Sequence, residues 1–137
     1  MELKIIFPDG SEYEPLELTP LGDNLYRVEA SIVPMVEPEQ FIRYQDVVEL
    51  ELKSEREGLF RRIVQPSPYQ TSMHAIRPVV TCTFAFELFS HRLLQTGGHW
   101  ELVFGGLLMV HLKPGTDFDL DKELDQMSRS VTSASAL

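Results

Sequence analysis

The chain has 137 residues, with 12 basic and 21 acidic side chains and a formal net charge of −9. An apolar fraction of 43% fits one globular domain or two small subdomains and excludes a disordered, collagen-like or disulfide-scaffold chain. Net acidity disfavours phosphate-bearing partners, so neither nucleic acid nor an anionic membrane surface is expected.

Cys82 is the single cysteine, which rules out an internal disulfide and a four-cysteine zinc site. The first residues lack a basic segment followed by an apolar stretch, so a secretory signal is not expected there. No apolar run approaches the roughly 18 residues of a membrane span. A cytoplasmic, reducing setting is the expectation.

In chain order, residues 3–7 form a short apolar run closed by Pro8-Asp9-Gly10-Ser11, which is turn chemistry. Residues 14–18 alternate and end at Thr19-Pro20. Leu21-Gly22-Asp23-Asn24 is a second turn, followed by a strand over 25–30. Pro34 and Pro38 make residues 32–40 irregular or a single helical turn. Residues 46–53 set Val47, Val48, Leu50 and Leu52 against Glu49, Glu51 and Lys53, a half-buried strand. A loop at 54–58 returns the chain through 59–64. Five short strands in so few residues point to a small barrel or a strongly bent sheet.

Pro66-Ser67-Pro68 marks a junction. Residues 70–77 read as a strand. Pro78 suits a first helical turn, and Val79, Cys82, Phe86, Phe89 and Leu93 recur at helical spacing. Residues 80–88 also alternate, so the first turns of that helix compete with a strand. Gly97-Gly98 supplies a helix C-cap. Two β-rich runs, 100–104 and 107–112, flank Gly105-Gly106 and read as a tight hairpin. Thr116 or Asp117 then caps an acidic helix striped by Leu120, Leu124, Met127 and Val131. The expected organisation is a β-rich subdomain over 1–66, an α+β subdomain over 67–129 and a frayed tail over 130–137. The fold class is α+β: a barrel-like half packed on a strand-helix-hairpin-helix half, ferredoxin-like with one strand missing.

The four histidines are His74, His91, His99 and His111, and their spacing matches no zinc motif. A two-residue turn at Gly105-Gly106 pairs Trp100 with His111 and sends His99 to the opposite face. On that register no metal site forms. Trp100 beside His111 is then the best small-ligand candidate, against a background of ordinary core packing. Ser67, Ser72 and His74 concentrate hydroxyls near an imidazole, as nucleophilic catalysis requires, but no nucleophile elbow or oxyanion loop accompanies them. Cys82 sits in an apolar stretch and is expected to be buried and unreactive. Asp117, Asp119, Asp121, Glu123 and Asp125 fail the calcium-loop pattern, because Lys122 occupies the glycine position. No phosphate-binding loop and no cofactor motif occurs. Phe84 and Leu88 fall off the helix stripe and are surplus apolar positions.

Leu21-Gly22-Asp23-Asn24-Leu25-Tyr26-Arg27, Tyr44-Gln45-Asp46-Val47-Val48-Glu49 and Arg61-Arg62-Ile63-Val64 resemble the bacterial domain of unknown function family 4265. The later order of a helix, Gly97-Gly98, Trp100-Glu101, a glycine-centred hairpin and an acidic helix is similar too. The resemblance spans roughly residues 21–124. The family's Ser-Gly-His-Ser-Thr-like segment is replaced here by Pro66-Ser67-Pro68-Tyr69-Gln70-Thr71-Ser72. The resemblance implies a bacterial cytosolic protein and no particular activity.

The leading functional expectation is a non-enzymatic binding or regulatory module for a protein partner, a second copy or a small ligand. One alternative is a small hydrolase or transferase built on Ser67, Ser72, His74 and a carboxylate. Another is an acidic inhibitor or immunity-type protein that covers a basic partner.

Overall fold

A computed structural model describes residues 1–31, 42–103 and 105–135, with side chains through Ser130. The chain divides into two compact units, Met1–Pro68 and Tyr69–Leu137. The expected irregular stretch at 32–40 lies outside the described residues.

The first unit is a closed five-stranded barrel: β1 Glu2–Ile6, β2 Leu16–Gly22, β3 Leu25–Val28, β4 Val47–Leu52 and β5 Glu57–Gln65. Successive strands pair antiparallel, and a parallel β1–β5 ladder through Ile5↔Gly58 closes the ring. Period-two patterning turns Leu3, Ile5, Leu18, Tyr26, Val28, Val48 and Leu50 inward, where Phe7 and Ile42 join them. Each such fully buried side chain is worth about 1.5–3 kcal/mol. Gly58 is the thin point of the wall, since a Cβ there would stand 3.3 Å from Leu50 Cδ1.

Asp23 and Asn24 both hold positive φ, 55° and 64°, between the paired residues Gly22 and Leu25. That is the geometry of a two-residue hairpin turn whose twist matches its strands. Contrary to expectation, β2 does not end at Thr19-Pro20. It continues through Pro20, opposite Tyr26, and a register shift between Pro20 and Gly22 absorbs the missing donor. Asp46 is buried at the foot of β4, where its carboxylate accepts from the Arg43 and Ser67 backbone N–H groups at 2.8 and 2.6 Å.

The second unit runs β6 Gln70–Ala75, a 3-10 turn Pro78–Cys82, α1 Phe84–Gln95, β7 His99–Val103, β8 Leu107–Leu112 and α2 Leu120–Ser135. Its sheet has the order β6-β8-β7, with β8 antiparallel to both neighbours. Val80, Phe86, Phe89, Leu93 and Met127 pack on the sheet face that carries Leu108 and Val110.

Three local expectations are corrected. Residues 78–82 are a 3-10 turn, and Thr83 is extended (φ −94°, ψ 154°) before α1 begins. This break in phase buries Val80 and leaves Val79 and Cys82 exposed, so Cys82 is not a core thiol. Thr83 is the N-cap of α1; its Oγ1 accepts from the Phe86 N–H at 3.1 Å. For α2 the capping side chain is Asp119, accepting from the Lys122 N–H at 3.2 Å, rather than Thr116 or Asp117. The helix runs to Ser135. Among the described residues, no helix is long and apolar enough to cross a membrane.

Candidate functional site

The β7–β8 hairpin pairs Val103 with Leu107, so three residues rather than two separate the strands. That single residue reverses every facing across the hairpin. His99 lies opposite His111, and Trp100 lies opposite Val110. Trp100 and His111 therefore stand on different faces of the sheet, and His99 and His111 on the same one.

One face of the sheet carries a polar cluster that sequence reasoning did not assemble. Thr71 on β6 is directly across from His111, and Glu101 is diagonal to it on β7. The His111 ring is fully buried; Nδ1 lies 2.8 Å from Thr71 Oγ1, and Nε2 lies 2.6 Å from Glu101 Oε2. The His99 ring stacks on it at 6.1 Å, and the Tyr69 ring meets it edge-on at 6.4 Å. The Tyr69 hydroxyl donates to the Gly97 carbonyl at 3.2 Å. A hydroxyl, an imidazole and a carboxylate in line are the parts of a nucleophile–base–acid relay. Here the imidazole is closed to solvent and both its nitrogens are engaged by neighbouring side chains. The arrangement satisfies a buried polar ring and fixes the register of three strands. Among the described residues, no three metal-ligating side chains are grouped to hold an ion.

The other candidates separate. Ser67 belongs to the first unit, where its N–H binds Asp46. Ser72 and His74 lie two residues apart on β6 and meet, Oγ to Nε2 at 2.8 Å. No carboxylate among the described residues completes that pair. Trp100 packs edge-on against Phe86 at 5.0 Å and donates its indole N–H to Ser90 Oγ at 2.8 Å, the behaviour of a satisfied core tryptophan. His91 is exposed on α1.

The open feature of this unit is the outer edge of β6. The Ile76 N–H donates to the Gly106 carbonyl at 2.9 Å, in phase with the β6–β8 pairing. That parity spends the backbone groups of Gln70, Ser72 and His74 on β8 and turns those of Thr71, Met73 and Ala75 outward. Among the described residues, no strand pairs with that outer side. Beside it runs a groove of about 490 Å³, lined by His74, Arg77, Val80, Leu124 and Met127 among others. Its walls are the end of β6, the 3-10 turn and α2. Arg77 is exposed at the end of the strand, and no carboxylate is among the described residues that line the groove. A second, shallower depression near the start of α2 contains Arg92, but Glu123 already neutralises it at 3.0 Å.

No protein-family model and no curated protein matches the chain. Among solved structures it is similar to a hypothetical protein from Neisseria gonorrhoeae, with a TM-score of 0.55 and 16% identity over 94% of this chain and 88% of that one. At that identity the likeness is one of fold.

Proposed function

We propose that this protein is a non-enzymatic binding module that takes an extended peptide by strand addition at β6. The observation that carries the reading is the outward row of backbone donors and acceptors at Met73 and Ala75, next to a groove of about 490 Å³. Main-chain hydrogen bonds along such an edge supply affinity, and a flanking pocket supplies specificity. Natural sheets blunt exposed edges with charge, proline or a covering element. From Gln70 to Ala75 this strand has neither proline nor an acidic or lysine side chain.

Fold-level analogy points the same way. Read as a ferredoxin-like β-α-β-β-α-β unit without its last strand, the second unit leaves the missing strand's place beside β6. Membership in the bacterial family 4265 and a cytosolic setting accompany this reading. The acidic-inhibitor alternative draws on charge alone, and the barrel carboxylates Glu12, Glu17, Glu29, Glu49 and Glu51 are already ion-paired with its own cations.

The test uses a displayed library of random peptides of about ten residues, long enough for one strand and its flanks. Clones that bind the wild-type chain are expected to lose the Met73→Pro variant. That change removes an outward N–H while leaving the β6–β8 bonds intact. Clones that bind both proteins equally, or no clones at all, would sink the proposal. Ala75→Pro repeats the measurement at the next outward position.

A further inference from the structure

The groove beside β6 has a chemical bias that strand addition by itself does not require. The chain carries a net charge of −9, yet the described lining of this groove contains Arg77 and His74 and no acid. His74 is held by Ser72, and Arg77 is the exposed cation just beyond the end of the strand. Arg77 is exposed and lines the groove together with the apolar residues Ile76 and Val80, so a partner side chain can reach its charge beside an apolar wall. Leu124 and Met127 of α2 supply the apolar wall, and Met127 is 2% exposed.

We infer that the occupant of the β6 groove is an extended acidic segment of another protein, with a carboxylate side chain against Arg77 and an apolar side chain against Leu124 and Met127. Alternate residues of an added strand point the same way, so the two requirements fall on neighbouring same-face positions of the partner. The inference rests on the strand-addition reading and narrows it to one class of sequence. A second copy fits less well. Its own β6 edge, Gln70 to Ala75, carries no carboxylate, so pairing two such edges leaves Arg77 without a counter-charge.

Peptides selected on the wild-type chain, and lost on Met73→Pro, are sequenced and resynthesised with blocked ends. The expected result is one shared Glu or Asp position. Changing that acid to its amide should weaken binding about fivefold, the scale of a well-placed exposed ion pair. Arg77→Gln should remove the preference for acid over amide. Arg77→Glu should reverse it, so that a lysine peptide binds the variant better than the acidic parent does. Arg77 has an exposed side chain, and circular dichroism with thermal melting checks that both variants fold. Selected peptides with no acidic position, or an acid preference that survives Arg77→Glu, overturn the inference while leaving strand addition standing. Peptides that bind only with a free carboxy terminus overturn the side-chain source. A concentration-dependent dimer in sedimentation, abolished by Met73→Pro, assigns the edge to a second copy and overturns it too. Failure of every peptide to depend on Met73 removes the parent reading instead.

Discussion

His111 is a polar side chain with no exposed surface, and its two nitrogens are engaged by groups from two other strands. A buried ring nitrogen stripped of its partner costs the full desolvation of that atom, about 1–3 kcal/mol. Thr71→Val does this with little change of shape, so it should destabilise the fold by about that amount, while Thr71→Ser should restore most of it. Urea unfolding of the two variants decides the point; a Val variant as stable as the Ser variant would mean the contact carries no weight. This cluster was not legible from the sequence because it hangs on one residue of loop length. Two adjacent glycines are compatible with a turn of either two or three residues, and parity decides which face every side chain takes. The residue types were visible, since Glu101, His111 and Thr71 stand in strand-like runs and His99 directly precedes one. Only their common face was hidden.

At the scale of elements, the Asp23-Asn24 turn and the glycine end of α1 were readable, and the phases of the strands and helices between turns were the least so. Gly97 and Gly98 end α1 as expected: the Gly98 N–H reaches the Leu93 carbonyl at 3.1 Å, and the Gly97 N–H reaches Leu94 at 3.0 Å. Gly97 needs its positive φ of 82°, the left-handed residue of that cap. Gly98 is glycine for another reason, close approach. A Cβ there would sit 2.8 Å from the His111 carbonyl oxygen and 2.6 Å from Leu93 Cδ1. Gly98→Ala should therefore cost about 1–3 kcal/mol by forcing α1 from β8, read as a lowered melting temperature. By contrast Val79, not Val80, matched the helical stripe, because periodicity carries no mark of the extended Thr83 that resets the phase.

Glu29 connects several barrel elements. It accepts from Thr19 on β2 at 2.8 Å, from Arg27 on β3 at 2.9 Å and from Gln45, ahead of β4, at 2.8 Å. Burial pushes its carboxyl up, but those hydrogen bonds and the Arg27 charge outweigh burial and hold it below the ordinary 4.5. A depressed folded value means the stabilisation is present above 4.5 and is lost as pH falls through the folded value. Wild-type protein should thus lose more stability between about pH 5 and about pH 3 than Glu29→Gln does. Parallel acid slopes for the two proteins would show that the network contributes nothing to this window.

On the scale of the molecule, five short strand runs in so few residues made a small barrel or strongly bent sheet legible. Its closure was not, since the Ile5↔Gly58 ladder joins distant segments with no local signal. Charge was equally visible in total and invisible in detail. Residues 1–69 hold 7 basic and 14 acidic side chains, net −7, and residues 70–137 hold 5 and 7, net −2. An acidic peptide approaching β6 therefore meets long-range repulsion from the chain as a whole and attraction only near Arg77. Salt screens both, but at different stages of binding. With a Debye length of about 10 Å at 0.1 M, added salt removes the repulsion during approach, so the association rate should rise about two- to fivefold from low to physiological ionic strength. The same salt weakens the contact ion pair, so dissociation should also accelerate. Arg77→Gln separates the two effects: it should abolish the salt dependence of dissociation and keep that of association. Surface-binding kinetics with a selected acidic peptide give both rates. An association rate that falls with salt would mean that the local cation governs the approach and that the −9 of the chain is screened from this edge.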